Sequence, residues 1–127
     1  MLTAVHTLVY SDDPAAPRAF FRDVLGWQFV EEPDVPGWLI FKTGLSELGV
    51  HPTAYTHEGV EHSHPRHHWI SLMCDDIEAT MAELTEKGAV FSGPVEDMGF
   101  GLATNLEVPG ADPIMLYEPR HPTAFDL

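Results

Sequence analysis

His6, His51 and Glu118 stand at related points of a sequence that reads twice. His6-Thr7-Leu8-Val9-Tyr10-Ser11-Asp12-Asp13 returns as Trp69-Ile70-Ser71-Leu72-Met73-Cys74-Asp75-Asp76, and the halves close alike on Leu48-Gly49-Val50-His51-Pro52 and Met115-Leu116-Tyr117-Glu118-Pro119. Side chains alternate across a strand. His6 therefore shares a face with Ala4, Leu8 and Tyr10, away from Val5, Thr7 and Val9, and His51 lies opposite Leu48 and Val50. Glu118 takes the position equivalent to His51. Two imidazoles and one carboxylate that converge in this way suit one borderline divalent ion such as zinc, manganese, nickel or iron, with coordination positions left open. Such an ion polarises a carbonyl or enolate oxygen, or lowers the proton affinity of a bound water.

Other side chains could serve the same cavity. Tyr10 is on the His6 face and could donate a proton or a hydrogen bond to a bound oxygen, while Trp38 and Trp69 could stack on a flat ligand; core packing is the alternative for each. The run from His57 to His68 holds His57, His62, His64, His67 and His68, and reads as a solvated, mobile lid or linker with incidental metal affinity. Cys74 falls on the expected helix-facing side beside Asp75, where thiolate is disfavoured. No glycine-rich phosphate loop, H-E-x-x-H or paired C-x-x-C occurs, and Gly44-Leu45-Ser46-Glu47-Leu48 lacks the second glycine of a nucleophile elbow.

Two short modules are needed to position these groups. Residues 3–11 read as a strand ending at Asp12-Asp13-Pro14, a helix start. Phe20, Phe21, Val24 and Leu25 recur at helical spacing, with Arg18, Arg22 and Asp23 among the polar positions, until Gly26 stops the helix. Strands follow at Trp27–Glu31, Trp38–Lys42 and Glu47–His51, separated by turns at Asp34-Val35-Pro36-Gly37 and Thr43-Gly44. The second half repeats the order: a strand at 67–74, a helix at Ile77–Lys87 stopped by Gly88, and strands near Ala89–Ser92, Leu102–Val108 and Pro113–Tyr117. Residues 93–101 read as a loop, and Pro109-Gly110-Ala111-Asp112 as a hairpin turn. The expected organisation is one α+β domain over 1–127. Module 1 spans about 3–52 and module 2 about 67–119, joined by a loop at about 53–66 and followed by a tail at 120–127. Two βαβββ modules would form a curved mixed sheet around a cavity, with helices on the outer face.

Composition sets the limits. At 127 residues and 44% hydrophobic content, the two halves must share one core. Six Lys plus Arg against 20 Asp plus Glu give a formal charge of −14, which disfavours nucleic acid and anionic membranes and suits cationic or neutral small molecules. One cysteine excludes an internal disulfide, and a start without a basic, long apolar leader is expected of a cytoplasmic protein.

The paired βαβββ pattern, His6 followed by Asp12-Asp13, and the stretch Arg18-Ala19-Phe20-Phe21-Arg22-Asp23-Val24-Leu25-Gly26-Trp27 together resemble the vicinal oxygen chelate superfamily over about residues 3–119. That family includes glyoxalases, methylmalonyl-CoA epimerases, fosfomycin-resistance transferases, extradiol dioxygenases and metal-free bleomycin-resistance proteins. The resemblance implies metal positions at His6, His51, Trp69 and Glu118. Tryptophan cannot ligate, so three ligands are kept, with His67 or His68 as the neighbours that would replace the fourth. It also implies a homodimer with the site shared between subunits, so that His6 and His51 of one chain meet Glu118 of the other. The expected activity is divalent-metal-dependent lyase, isomerase or dioxygenase chemistry on a small oxygen-bearing molecule. The alternative is a metal-free protein that sequesters a small molecule or drug.

Overall fold

The computed structural model describes residues 1–24, 26–107 and 112–127. Ten strands are present among them: β1 (Leu2–Ser11), β2 (Phe29–Glu31), β3 (Leu39–Lys42), β4 (Ser46–Pro52), β5 (Ala54–His57), β6 (Val60–Ser63), β7 (His68–Cys74), β8 (Phe91–Asp97), β9 (Gly101–Leu106) and β10 (Ile114–Pro119). Helix α1 (Ala15–Ala19) runs into a π-helical turn at Phe20–Val24, and α2 spans Ile77–Glu86. Eight strands pair in the order β2-β3-β4-β1-β7-β10-β9-β8, while β5 and β6 form a separate hairpin. The sheet is mixed: β10 runs parallel to β7, with Leu116 opposite Leu72, and antiparallel to β9. The fold is thus α+β, as the sequence implies. No helix among the described residues is long and apolar enough to cross a membrane.

By internal contacts the chain divides into two compact units, Met1–His6 with Ile70–Pro122, and Thr7–Trp69 with Thr123–Leu127. The division falls inside β1, inside β7 and after Pro122.

In the first unit, Asp76 caps α2 by accepting from the Ala79 N–H at 3.0 Å, which satisfies a donor that the first helical turn leaves without a partner. Gly88 ends it with φ +98°, a left-handed conformation in which its N–H reaches the Thr85 carbonyl at 3.0 Å. The helix buries Ile77 into a core with Cys74 and Leu116, flanked by Leu72, Met81, Phe91, Val95 and Leu102. This core fixes the parity of β10: the face of Leu116 looks towards α2. Strand β8 extends to Asp97 across an irregularity between Ser92 and Glu96, so much of the expected 93–101 loop is strand.

In the second unit the core is Leu39, Ile40, Phe41 and Val50. Phe41, wholly buried, meets the edges or faces of Phe21, Trp27 and Phe29 at ring distances of 5.4, 6.3 and 5.9 Å. Leu25 and the side chains of Phe20 and Val24, part of the expected apolar helix face, lie outside the described residues, as does the Pro109-Gly110-Ala111 part of the expected turn.

The expected mobile linker at 53–66 is instead largely the hairpin β5–β6. Its turn is Glu58-Gly59, with φ of +50° and +77°, the positive values that a two-residue hairpin turn needs. Tyr55 and His62 stand directly opposite each other and stack at 4.9 Å, a cross-strand pair that pins the register. The strand also ties back to its unit, because the Thr53 N–H donates to the Ser11 carbonyl at 3.0 Å and the His64 N–H to Thr53 at 2.8 Å.

Candidate functional site

Each unit presents its own group of polar and aromatic side chains. In the first, His6 is buried on β1 at 6% exposure, and its ring meets the edges of Tyr117 at 6.0 Å and His121 at 5.4 Å. The His121 ring is oriented from both sides. Its Nδ1–H donates to the Pro122 carbonyl at 2.7 Å, and the Tyr117 hydroxyl lies 2.9 Å from Nε2. With its Nδ1–H on a carbonyl, the ring carries its one electron pair on Nε2, where it accepts the Tyr117 O–H; a metal at Nε2 would take the place of that hydrogen bond.

Glu118, expected as the carboxylate ligand, is placed elsewhere. Its Oε1 accepts from the Ile77 N–H at 3.0 Å, at the first turn of α2. The physical reason is the parity of β10: Leu116 and Glu118 share the face covered by α2, and Tyr117 the opposite one. Glu118 is a helix-capping carboxylate beside the positive end of the helix dipole. Glu118→Ala should therefore lower stability by about 1 kcal/mol, the usual cost of losing a cap, and leave metal content unchanged. Thermal melting alongside elemental analysis checks both. Cys74 matches its expected setting: it is 1% exposed and burial pushes its thiol up.

In the second unit the carboxylate that stands out is Glu47 on β4, wholly buried at 0% exposure. Its Oε2 accepts from the main-chain N–H groups of Ala124 and Phe125 at 2.7 and 3.3 Å. The C-terminal segment therefore folds in, with Ala124 itself fully buried. Glu47 shares the parity of His51 but lies four residues earlier and is more deeply buried.

His51 belongs to a cluster of half-buried rings. It stacks on Tyr10 at 4.6 Å and meets Trp38 at 5.3 Å and Tyr55 at 4.8 Å; Tyr10 in turn stacks on His67 at 4.1 Å. The His51 Nδ1–H donates to the Pro52 carbonyl at 2.7 Å, and burial, followed by the cationic tendency of His64, Arg18 and His67, holds its pKa below the usual histidine range. Tyr10 is pushed up by burial, which weakens it as an acid. His67 is turned by its own bond to the Pro65 carbonyl at 2.7 Å, while Trp69 and His68 are exposed on β7. Sequence reasoning assigned His6, Trp38, His51, His67 and Tyr10 to pocket or ligand roles. It missed Glu47 and His121. Parity with His51 was a signal for Glu47; His121 sits in a tail without any periodic pattern.

The family model for the Glyoxalase/Bleomycin resistance protein/Dioxygenase superfamily matches residues 3–113, and the chain belongs to that superfamily. Solved structures with the same fold include a variant of Streptomyces coelicolor methylmalonyl-CoA epimerase in complex with 2-nitronate-propionyl-CoA. It is 18% identical with a TM-score of 0.59 and covers 94% of this chain and 99% of its own. A superfamily member from Vibrio splendidus is 14% identical with a TM-score of 0.53, covering 93% and 99%. A protein described as an NAD-dependent benzaldehyde dehydrogenase from Legionella pneumophila is 18% identical with a TM-score of 0.59, covering 91% and 99%. At these identities the likeness is one of fold. Comparison with curated proteins finds no match.

Proposed function

We propose that the protein is a divalent-metal-dependent enzyme acting on a small oxygen-bearing molecule, with His6 and His121 as the metal ligands that the first unit supplies. The observation that carries the reading is a pair of imidazoles: the His6 ring is buried and lies 5.4 Å from the His121 ring, whose Nδ1–H is held by the Pro122 carbonyl. Imidazole nitrogens suit zinc, manganese, nickel or iron(II), and two of them leave positions open for further ligands and a substrate. Bound there, the ion would polarise a substrate oxygen and ease loss of a neighbouring proton.

The chain's own residues supply orientation. Pro122 fixes the His121 ring, and the Tyr117 hydroxyl, which a metal bound at Nε2 would release from that nitrogen, would then be a proton-bearing group beside the ligands. A hydroxyl so placed favours proton transfer next to a carbonyl, as in lyases and isomerases, over oxygen insertion. Superfamily membership and the fold shared with methylmalonyl-CoA epimerase support the same direction. Elemental analysis of protein purified without a histidine tag tests the proposal: about one divalent ion per chain is expected, with a lower melting temperature after chelation. No stoichiometric metal, together with a melting curve indifferent to chelator, would overturn it in favour of a metal-free binding protein, the reading that the half-buried ring cluster of the second unit favours.

A further inference from the structure

Among the described residues, Arg18 has no partner equal to its charge. Of the six Lys and Arg residues, Arg22 pairs with Asp23, Arg66 with Asp12, Lys87 with Glu83 and Arg120 with Asp97. Arg18 and Lys42 have no carboxylate within ion-pair distance among the described residues. Of these two, only Arg18 is held in an aromatic setting. Its guanidinium lies over the Trp38 ring, 5.0 Å from the centroid, and Nη2 donates to the Val50 carbonyl at 2.6 Å. Nε is shut off from water and has no acceptor among the described residues. A guanidinium carries five N–H donors, and one of these, on Nη2, has an acceptor among the described residues. Burial alone pushes its pKa down, with no anion to restore it. In a chain with 20 acidic residues, a half-buried arginine left without a carboxylate is an exception that costs desolvation and a lost hydrogen bond.

The surroundings define what would offset that cost. Trp38 is joined edge-on to His51, and His51 to the faces or edges of Tyr10 and Tyr55, so a half-buried aromatic surface begins where the guanidinium ends. Rings that served only as core would be fully buried, as Phe41 is. We propose that Arg18, Trp38, His51 and Tyr55 form a binding site for a small planar anion, an aromatic or conjugated carboxylate whose charged end pairs with Arg18 and whose flat face lies on the rings. The formal charge of −14 does not oppose this, because exposed charges are screened over about 8 Å at physiological ionic strength, whereas a forked guanidinium bonds at contact. All four residues belong to the second unit, and the proposal is independent of a bound metal.

Benzoate is the probe, titrated into the metal-chelated full chain and followed by chemical-shift changes, with the Trp38 indole signal assigned by Trp38→Phe. Benzamide serves as the flat uncharged control and cyclohexanecarboxylate as the charged non-planar one. The expected result is saturable benzoate binding that moves the Trp38 indole, with both controls at least tenfold weaker. Arg18→Gln should weaken benzoate at least tenfold, and Arg22→Gln should leave it unchanged. If Arg18→Gln fails to fold, Arg18→Lys keeps the charge without the fork, and at least a threefold loss is then expected. No binding of benzoate, equal binding of benzamide, equal binding of cyclohexanecarboxylate, or undiminished affinity in the folded Arg18 variant would overturn the site. Because the titration is run without metal, failure here leaves the elemental analysis of the ligand set untouched, and the reverse also holds.

Discussion

Glu47→Ala is expected to destabilise the fold by about 2–4 kcal/mol, whereas Glu47→Gln should cost about 1 kcal/mol or less. The difference isolates what the carboxylate does as an acceptor. It satisfies the Ala124 and Phe125 N–H groups, and alanine leaves these main-chain donors without that partner in a region where Ala124 is fully buried. A glutamine can keep that acceptor, since its amide oxygen can take the place of Oε2. Denaturant unfolding of the two variants checks the result. Equal losses would show that this acceptor does not hold the C-terminal segment in place.

The same residue shows how far a sequence of this kind can be read. The duplicated strand openings and the glycine stops at Gly26 and Gly88 are local signals, each with its own mechanism, and the elements follow from them. Gly26 and Gly88 do adopt left-handed φ values of +66° and +98°. The parity of β4 was likewise legible, since Glu47 and His51 share a face. Which of the two lies deeper was not, because depth is set by the C-terminal segment, whose Ala124 and Phe125 N–H groups meet Glu47 from 77 and 78 residues away. No periodicity announces a contact at that separation. The direction of Glu118 was not legible for a related reason. Alternation divides β10 into two faces but does not say which one α2 covers, and that is settled by Leu116 packing with Cys74 and Ile77.

The hairpin β5–β6 was hidden by composition. Histidines and acidic residues lower the hydrophobicity of 54–63, yet Glu58-Gly59 between two four-residue alternating runs is itself a hairpin signal. What makes the segment order is aromatic and imidazole stacking, Tyr55 on His62 and His64, and not an apolar face. That stacking extends the ring cluster around His51, so a stretch that reads as a polar connection contributes to the surface on which we place the planar anion.

Gly101→Ala carries the second large expectation: a loss of about 3 kcal/mol, which for a chain of this size lowers the melting temperature by about 10 °C, together with reduced metal retention in the fraction that folds. Gly101 begins β9, is buried and pairs with Pro119 on β10. A Cβ added there would run into the main-chain carbonyl oxygen of Glu118, far inside van der Waals contact, and would stand 3.1 Å from Cδ2 of Tyr117. A backbone atom cannot swing aside as a side-chain tip can, so β10 must shift or the pairing must open. Either response reaches the candidate site, because Tyr117 leans on Phe100 at 5.5 Å, faces His6 and holds its hydroxyl 2.9 Å from the His121 Nε2. Gly44→Ala provides the contrast. Its φ of +87° makes alanine strained, but nothing lies within 4 Å of the added carbon, so the cost should stay near 1 kcal/mol and metal content should not change. Melting curves of the two variants, measured with elemental analysis, compare backbone strain alone with strain transmitted through β10. Equal losses in both would show that the close approach of Gly101 to Glu118 does not govern the position of Tyr117.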